Sequence, residues 1–185
     1  MSPSHQKLPS PFLSSLPLGM EPTPPKEYVK SEYILPATVE LAWQSSGLLR
    51  WEDKRELEGL GHPPFYALPM SVALSKDPIC FYNPDGELSG FAGVVEEDNG
   101  IGRVWMLTTP AVETMPILFF KEAKKWIEGQ QYTMLHNIMD PRNKMHGKLL
   151  HMLGFKRLCY VPVGPKRLTY VEFAKLCAIS ESPWV

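Results

Sequence analysis

Few side chains in this 185-residue chain are of the types that bind a metal or move a proton, and their spacing excludes most of that chemistry. Cys80, Cys159 and Cys177 form no C-x-x-C pair, and an odd number leaves at least one thiol unpaired, so neither a disulfide scaffold nor a zinc site is expected. They read as small buried or half-buried hydrophobes. His146 and His151 are five residues apart, about 140° around a helix, so they cannot make the i,i+4 pair that a helical metal site uses. Both are read as histidines without a catalytic role. His136, inside Tyr132–Met139 (YTMLHNIM), is a general-base candidate placed on a strand.

The elements that must hold these residues follow from pattern. Apolar residues make up 44% and charged residues 21%, which excludes disorder throughout. Nineteen basic residues against twenty acidic ones leave a net charge of -1, so there is no basic field for nucleic acid. The longest apolar run, Met115–Phe120, has six residues against the roughly 20 that span a bilayer. No basic stretch followed by an apolar one opens the sequence, so no signal peptide is expected.

Proline is unevenly spread: Pro3, Pro9, Pro11, Pro17, Pro22, Pro24, Pro25 and Pro36 all precede Ala37. Proline lacks a backbone donor and drives its predecessor towards extended geometry, so residues 1–32 read as an extended arm. Leu8, Phe12, Leu13, Leu16, Leu18 and Met20 punctuate the arm and would serve as its partner-binding contacts. Residues 33–176 form the domain and 177–185 a tail.

Within the domain, Pro36 with ATVELAWQSSGL predicts a helix, Trp51–Gly61 a second, and a short one falls around Ala67–Ser75. Two strands meet at the Asn83-Pro84-Asp85-Gly86 turn, and a third covers Gly102–Thr109 beyond a turn at Asn99-Gly100. Val112–Gly129 reads as one long helix with Phe119, Ala123, Trp126 and Ile127 inward and Lys121, Glu122, Lys124 and Lys125 outward. A strand over Tyr132–Met139 precedes a helix over Asn143–Leu153, its Met145, Leu149 and Leu153 four apart. A hairpin across Gly164 closes the domain. The order predicts an α/β (α+β) domain whose mixed, mostly antiparallel sheet is flanked by helices.

Asn143–Phe155 (NKMHGKLLHMLGF) resembles the late motif of the GNAT acetyltransferases: asparagine, alanine at +3, an aliphatic at +6, tyrosine at +7, Gly-Phe at +11 and +12. Asn143, Leu149, Gly154 and Phe155 match. The resemblance implies a GNAT fold over roughly Tyr33–Leu176 and, for an active member, acetyl-CoA as cofactor. Met106, Leu107, Thr108 and Asn143 would then be its pantetheine-binding positions, with Glu96, Glu97 or His136 as the base.

The same alignment departs from the family where the chemistry resides. The family's Arg/Gln-x-x-Gly-x-Gly/Ala loop aims backbone N–H groups at the pyrophosphate. Here Glu113 stands at the arginine position, and Pro116 and Leu118 stand at the two glycine positions. Proline removes a donor, leucine blocks close approach, and glutamate repels phosphate by about 1–4 kcal/mol near 4 Å. Glu113 also suits a helix N-terminal turn through the dipole. His146 stands at the family alanine. Leu150 replaces the tyrosine that protonates the leaving thiolate, and leucine has no proton to give.

The strand with Trp105, the basic-faced helix, Asp140-Pro141-Arg142-Asn143, His146 and Leu-Gly-Phe are together similar to GNAT-like internal virion proteins of podoviruses, the short-tailed phages. That resemblance implies a non-enzymatic structural component of a virion assembled in the host cytoplasm. It would pack in multiple copies on portal, tail or internal core proteins, tethered by the arm, with no direct nucleic-acid binding and no cofactor. The alternatives are an acetyl-CoA-dependent N-acetyltransferase and a binding module that keeps the cleft for another ligand.

Overall fold

The computed structural model describes residues 32–97 and 100–177. The arm's residues 1–31, its contact side chains included, and the tail from 178 lie outside the described residues, as do Asp98 and Asn99, the latter the first residue of the expected Asn99-Gly100 turn.

Three helices follow a short first strand, β1 (Ile34–Pro36): α1 (Val39–Ser45), α2 (Trp51–Leu60) and α3 (Pro64–Leu74). Thr38 starts α1 by accepting a hydrogen bond from the Leu41 N–H through its side chain. Gly61 ends α2 at φ +86°, where the His62 N–H reaches back to the Leu57 carbonyl, a closure that requires a left-handed residue. Helix α3 begins three residues before the expected start because Pro64 opens its first turn, where a missing N–H costs nothing.

Strands β2 (Lys76–Tyr82), β3 (Leu88–Glu96) and β4 (Ile101–Thr108) form an antiparallel meander. The first turn is built by Asn83, whose Oδ1 accepts from the N–H groups of Asp85 and Glu87. After a 3-10 turn at Pro110–Thr114 come α4 (Pro116–Glu128), β5 (Met134–Met139), α5 (Lys144–Met152), β6 (Lys156–Val163) and β7 (Leu168–Leu176). The seven strands lie in the order β1-β2-β3-β4-β5-β7-β6, antiparallel except for β4 against β5.

Three expectations about helices need correction. Val112–Gly129 is not one helix: Met115 leaves helical geometry at φ −134°, ψ 48°, because the residue before a proline is pushed out of it. In α5, Met145 is 68% exposed, whereas Leu150 and Leu153 enter the core and Leu149 only half-buries. The inward stripe runs through Gly147, Leu150 and Leu153, not Met145. Glu122, expected to face out, is half-buried and paired with Lys125.

The sheet separates two cores. On one face, Trp126 and Ile127 of α4 and Leu150 and Leu153 of α5 pack on Val94, Val104 and Leu135. On the other, Ala42 of α1 with Leu68 and Val72 of α3 packs on Cys80, Phe91 and Leu107. Alternation along β4 divides its side chains: Val104 and Met106 to the α4/α5 side, Trp105 and Leu107 to the α1–α3 side. Gly59 of α2 lies against the Tyr170 ring of β7, where any Cβ would collide with the phenol oxygen. That close approach lets the Tyr170 hydroxyl donate to the Glu56 carbonyl at 2.7 Å, fastening α2 to the far half of the sheet.

Candidate functional site

The two middle strands part company. β4 and β5 pair only through Ile101–Arg103 and Met134–His136, after which β4 follows β3 and β5 follows β7. Asn137 spans the start of the divergence, its Nδ2 donating to the Val104 carbonyl at 2.8 Å. Beyond it a cleft of about 600 Å³ opens through the sheet. Leu57 and Leu60 of α2 with Tyr66 and Met70 of α3 form one wall; Trp126 of α4 with Leu149, Leu150 and Leu153 of α5 forms the other.

The β4 edge facing this gap is partly committed. Thr108, a candidate pantetheine contact, has its N–H and hydroxyl donating to Asp53 Oδ2 at 2.8 and 2.7 Å, while its carbonyl accepts from the Arg50 N–H at 2.8 Å. Asp53 is buried and held in turn by the Arg50 side chain. The N-terminus of α2 therefore clips the end of β4, and Thr108 has no backbone group left for a ligand. Alternation puts the Met106 N–H and C=O on the same edge. Outside the strand ladders no hydrogen bond among the described residues engages them. Leu107 faces the α1–α3 core.

Across the gap, Asn143 is 3% exposed and caps α5, its Oδ1 accepting from the His146 N–H at 3.1 Å. Its Nδ2 is buried with no hydrogen-bond partner. Beside it, Asp140 is buried between Arg142, 2.7 Å away, and Arg55 of α2, 3.4 Å away. Burial pushes the Asp140 carboxyl up, but hydrogen bonds from the Arg142 side chain and backbone outweigh this and hold it below the ordinary aspartate value. Burial, reinforced by Glu56 and Asp140, pushes the Tyr170 phenol up to about 12.

The structure brings two of the three candidate bases together and separates the third. His136 Nε2 lies 2.8 Å from Glu97 Oε2, and Arg103 pairs with the same carboxylate. That His136 hydrogen bond, with Arg103 behind it, lowers the Glu97 carboxyl from its usual range despite slight burial. By strand alternation the trio sits on the α1–α3 face at the closed end of the gap. Glu96 points to the opposite face and is exposed. A second carboxylate–imidazole pair lies in the cleft wall itself: Glu56 of α2 and His146 of α5. Sequence reasoning passed over Glu56, Asp53 and Arg55, because nothing in α2 signals that it meets β4, β5 and α5.

The N-terminus of α4 lies at Pro116, four residues beyond the expected start at Val112. Pro116 occupies its first position, Ile117 is 72% exposed, and the Phe119 N–H already bonds the Met115 carbonyl. Only Ile117 and Leu118 retain unspent N–H groups there, with Glu113 in the preceding turn. Leu150, at the family tyrosine position, is buried against the cleft.

No family model and no curated protein matches the sequence. Solved structures do match the fold. A GNAT-family acetyltransferase from Streptococcus pneumoniae superposes over 78% of this chain and 98% of its own at TM-score 0.56 and 14% identity. The ribosomal-protein-S18-alanine N-acetyltransferase from Escherichia coli covers 82% and 97% at TM-score 0.57 and 10% identity. Aminoglycoside acetyltransferase AAC(6')-Ib, solved with ribostamycin and coenzyme A, covers 78% and 92% at TM-score 0.59 and 17% identity. The same enzyme is also solved with acetyl-CoA.

These complexes overturn the expectation that no cofactor is involved: this architecture holds coenzyme A or acetyl-CoA in solved neighbours. In this chain the β4–β5 gap is open. The chain has the GNAT fold.

Proposed function

We propose that this chain binds acetyl-CoA by its pantetheine arm in the β4–β5 gap and transfers the acetyl group to an amine. The observation that carries the reading is the cleft through the sheet, with the Met106 backbone on its edge and the unpartnered Asn143 Nδ2 buried at the start of α5, whose His146, Leu149 and Leu150 line that cleft. These groups suit an amide-bearing apolar chain: Met106 to pair with it as a strand would, Asn143 to donate to it. Trp126, Leu149 and Leu150 exclude water. The residues at the α4 N-terminus do not suit the diphosphate, so affinity rests on the arm. When bound, the cofactor supplies an activated thioester.

Calorimetric titration with acetyl-CoA and with acetyl-pantetheine tests the reading. Both should bind with affinities within about tenfold, since the phosphate cradle is worn. At about 100 times its Kd either ligand should add about 2.7 kcal/mol of stability. Leu150→Trp, which fills the gap, should abolish both. Absence of binding by either ligand refutes the reading.

A second reading, a structural component of a podovirus particle that packs on portal, tail or core proteins, draws on the surface of the first three helices. Trp43 and Phe65 meet edge to face at 6.4 Å, and Trp51, Tyr66 and Leu74 are also exposed. Exposed aromatic side chains in such number suit contact with neighbours. Gel filtration of the chain with isolated portal, tail and core proteins tests it: Trp43→Asp with Phe65→Asp should abolish co-elution, and no co-elution of the wild type refutes it.

A further inference from the structure

Glu56 stands apart from the other acidic residues that link α2 to the sheet. Asp53 is held by Arg50, and Asp140 by Arg55 and Arg142, but among the described residues Glu56 has no arginine or lysine bound to it. Its neighbour is His146, whose Nδ1 lies 3.9 Å from Oε2, too far for a hydrogen bond. The two side chains are 14% and 15% exposed, and both line the cleft. Glu56 Oε2 is buried with no hydrogen-bond donor. A carboxylate oxygen left so among Leu57, Leu60 and Leu150 is costly unless a donor fills the site. Nδ1 faces Glu56, and no hydrogen bond holds the Nε2 side of the ring.

Resting on the acetyl-transfer reading, we infer that Glu56 and His146 form the acceptor subsite, taking an unhindered primary amine. Glu56 accepts hydrogen bonds from the ammonium group and offsets its charge. His146 takes one of the two protons the ammonium sheds; the other leaves to solvent. The amine nitrogen bonds to the acetyl carbon, the carbon–sulfur bond breaks, and the sulfur departs with the electron pair. His146 then returns its proton to that sulfur. One imidazole thus serves as base and acid where Leu150 offers neither.

The test uses the full chain with cadaverine and a thiol-release assay, alongside NMR of the His146 ring. In the chain without cofactor, cadaverine should shift the His146 ring signals saturably, and Glu56→Gln should weaken that binding about tenfold, the loss of one charge-assisted contact. With acetyl-CoA, Glu56→Gln should raise the amine KM by a similar factor. His146→Ala should lower kcat about 100-fold or more, the usual scale for a positioned acid–base group, and leave acetyl-CoA binding intact. Glu56→Asp, which keeps the charge, should recover most of the amine binding and guards against misfolding of the amide variant. If acetyl-CoA binds but cadaverine moves no His146 signal, or Glu56→Gln leaves its affinity within twofold, the subsite is refuted and the cofactor reading stands. If acetyl-CoA does not bind, the cofactor reading itself falls.

Discussion

The helix termini around the β4–β5 gap differ, those of α4 from those of α2 and α5. At the α4 end, the elements for anion binding are missing: Pro116 has no N–H, Ile117 projects into solvent, and Glu113 carries the wrong sign. At the α2/α5 end, polar side chains are dense and nearly all satisfied: Asp53 on Thr108, Asp140 between two arginines, Tyr170 on the Glu56 carbonyl. The exceptions there, Glu56 Oε2 and Asn143 Nδ2, are buried without a hydrogen-bond partner among the described residues, and the Arg55 Nε behind them has only its ion pair with Asp140. The strand register that opens the gap depends on neither end.

Four perturbations sharpen or break this contrast. The largest effect is expected where both ends share a wall. Trp126→Ala should destabilise by about 3–5 kcal/mol in urea unfolding, since the indole is buried between α4 and the sheet and borders the cleft. A loss under 1 kcal/mol would mean the gap is not held open by packing.

Next is Asp140→Ala, which should cost about 3 kcal/mol by leaving Arg55, part-buried and with no other group on its Nε, without its counter-charge. Asp140 also carries a pH signature. Its carboxyl titrates lower folded than unfolded, so its contribution is complete above the ordinary aspartate pKa of about 3.9. That contribution fades as pH falls below that value through the depressed one. Denaturation midpoints against pH should therefore fall more steeply below pH 4 in the wild type than in Asp140→Asn.

Smaller is the effect of rebuilding the phosphate end. Glu113→Arg with Pro116→Gly and Leu118→Gly should tighten acetyl-CoA about tenfold, or 1.4 kcal/mol, relative to acetyl-pantetheine. The two glycines should cost α4 little more than 1 kcal/mol together, Pro116 being at the first position. Equal gains for both ligands would show that the new loop does not meet the diphosphate. Smallest of all, Lys124→Ala should change stability by less than about 0.5 kcal/mol, because its pair with Glu128 at 3.8 Å is exposed.

Local signals carried much of the fold. Gly61 after an acidic first turn, Asn83 before Gly86, and Asn143 ahead of Gly154-Phe155 each state a local geometry that neighbouring residues can enforce. The meander and the hairpin were legible for the same reason. The phase of α5 was not, because Met145, Leu149 and Leu153 fit a helical stripe as well as Gly147, Leu150 and Leu153 do. Only the position of β5 and β7 decides between them. Proline at position 116 was visible, yet the break it makes at Met115 was absorbed into one long helix by the apolar period on either side.

The worn phosphate loop and the missing tyrosine are properties of the sequence alone: proline has no N–H and leucine no proton in any fold. Likewise His146 and His151 cannot share a ligand from any helix that holds them five apart. Which histidine meets which carboxylate was a different matter. Glu97 reaches His136 across 39 positions, and Glu56 reaches His146 across 90 (146 minus 56). No periodicity spans such distances; the pairings exist because β4 and β5 run parallel for three residues and then diverge, and because α2 is clipped to the end of one and ion-paired to the end of the other.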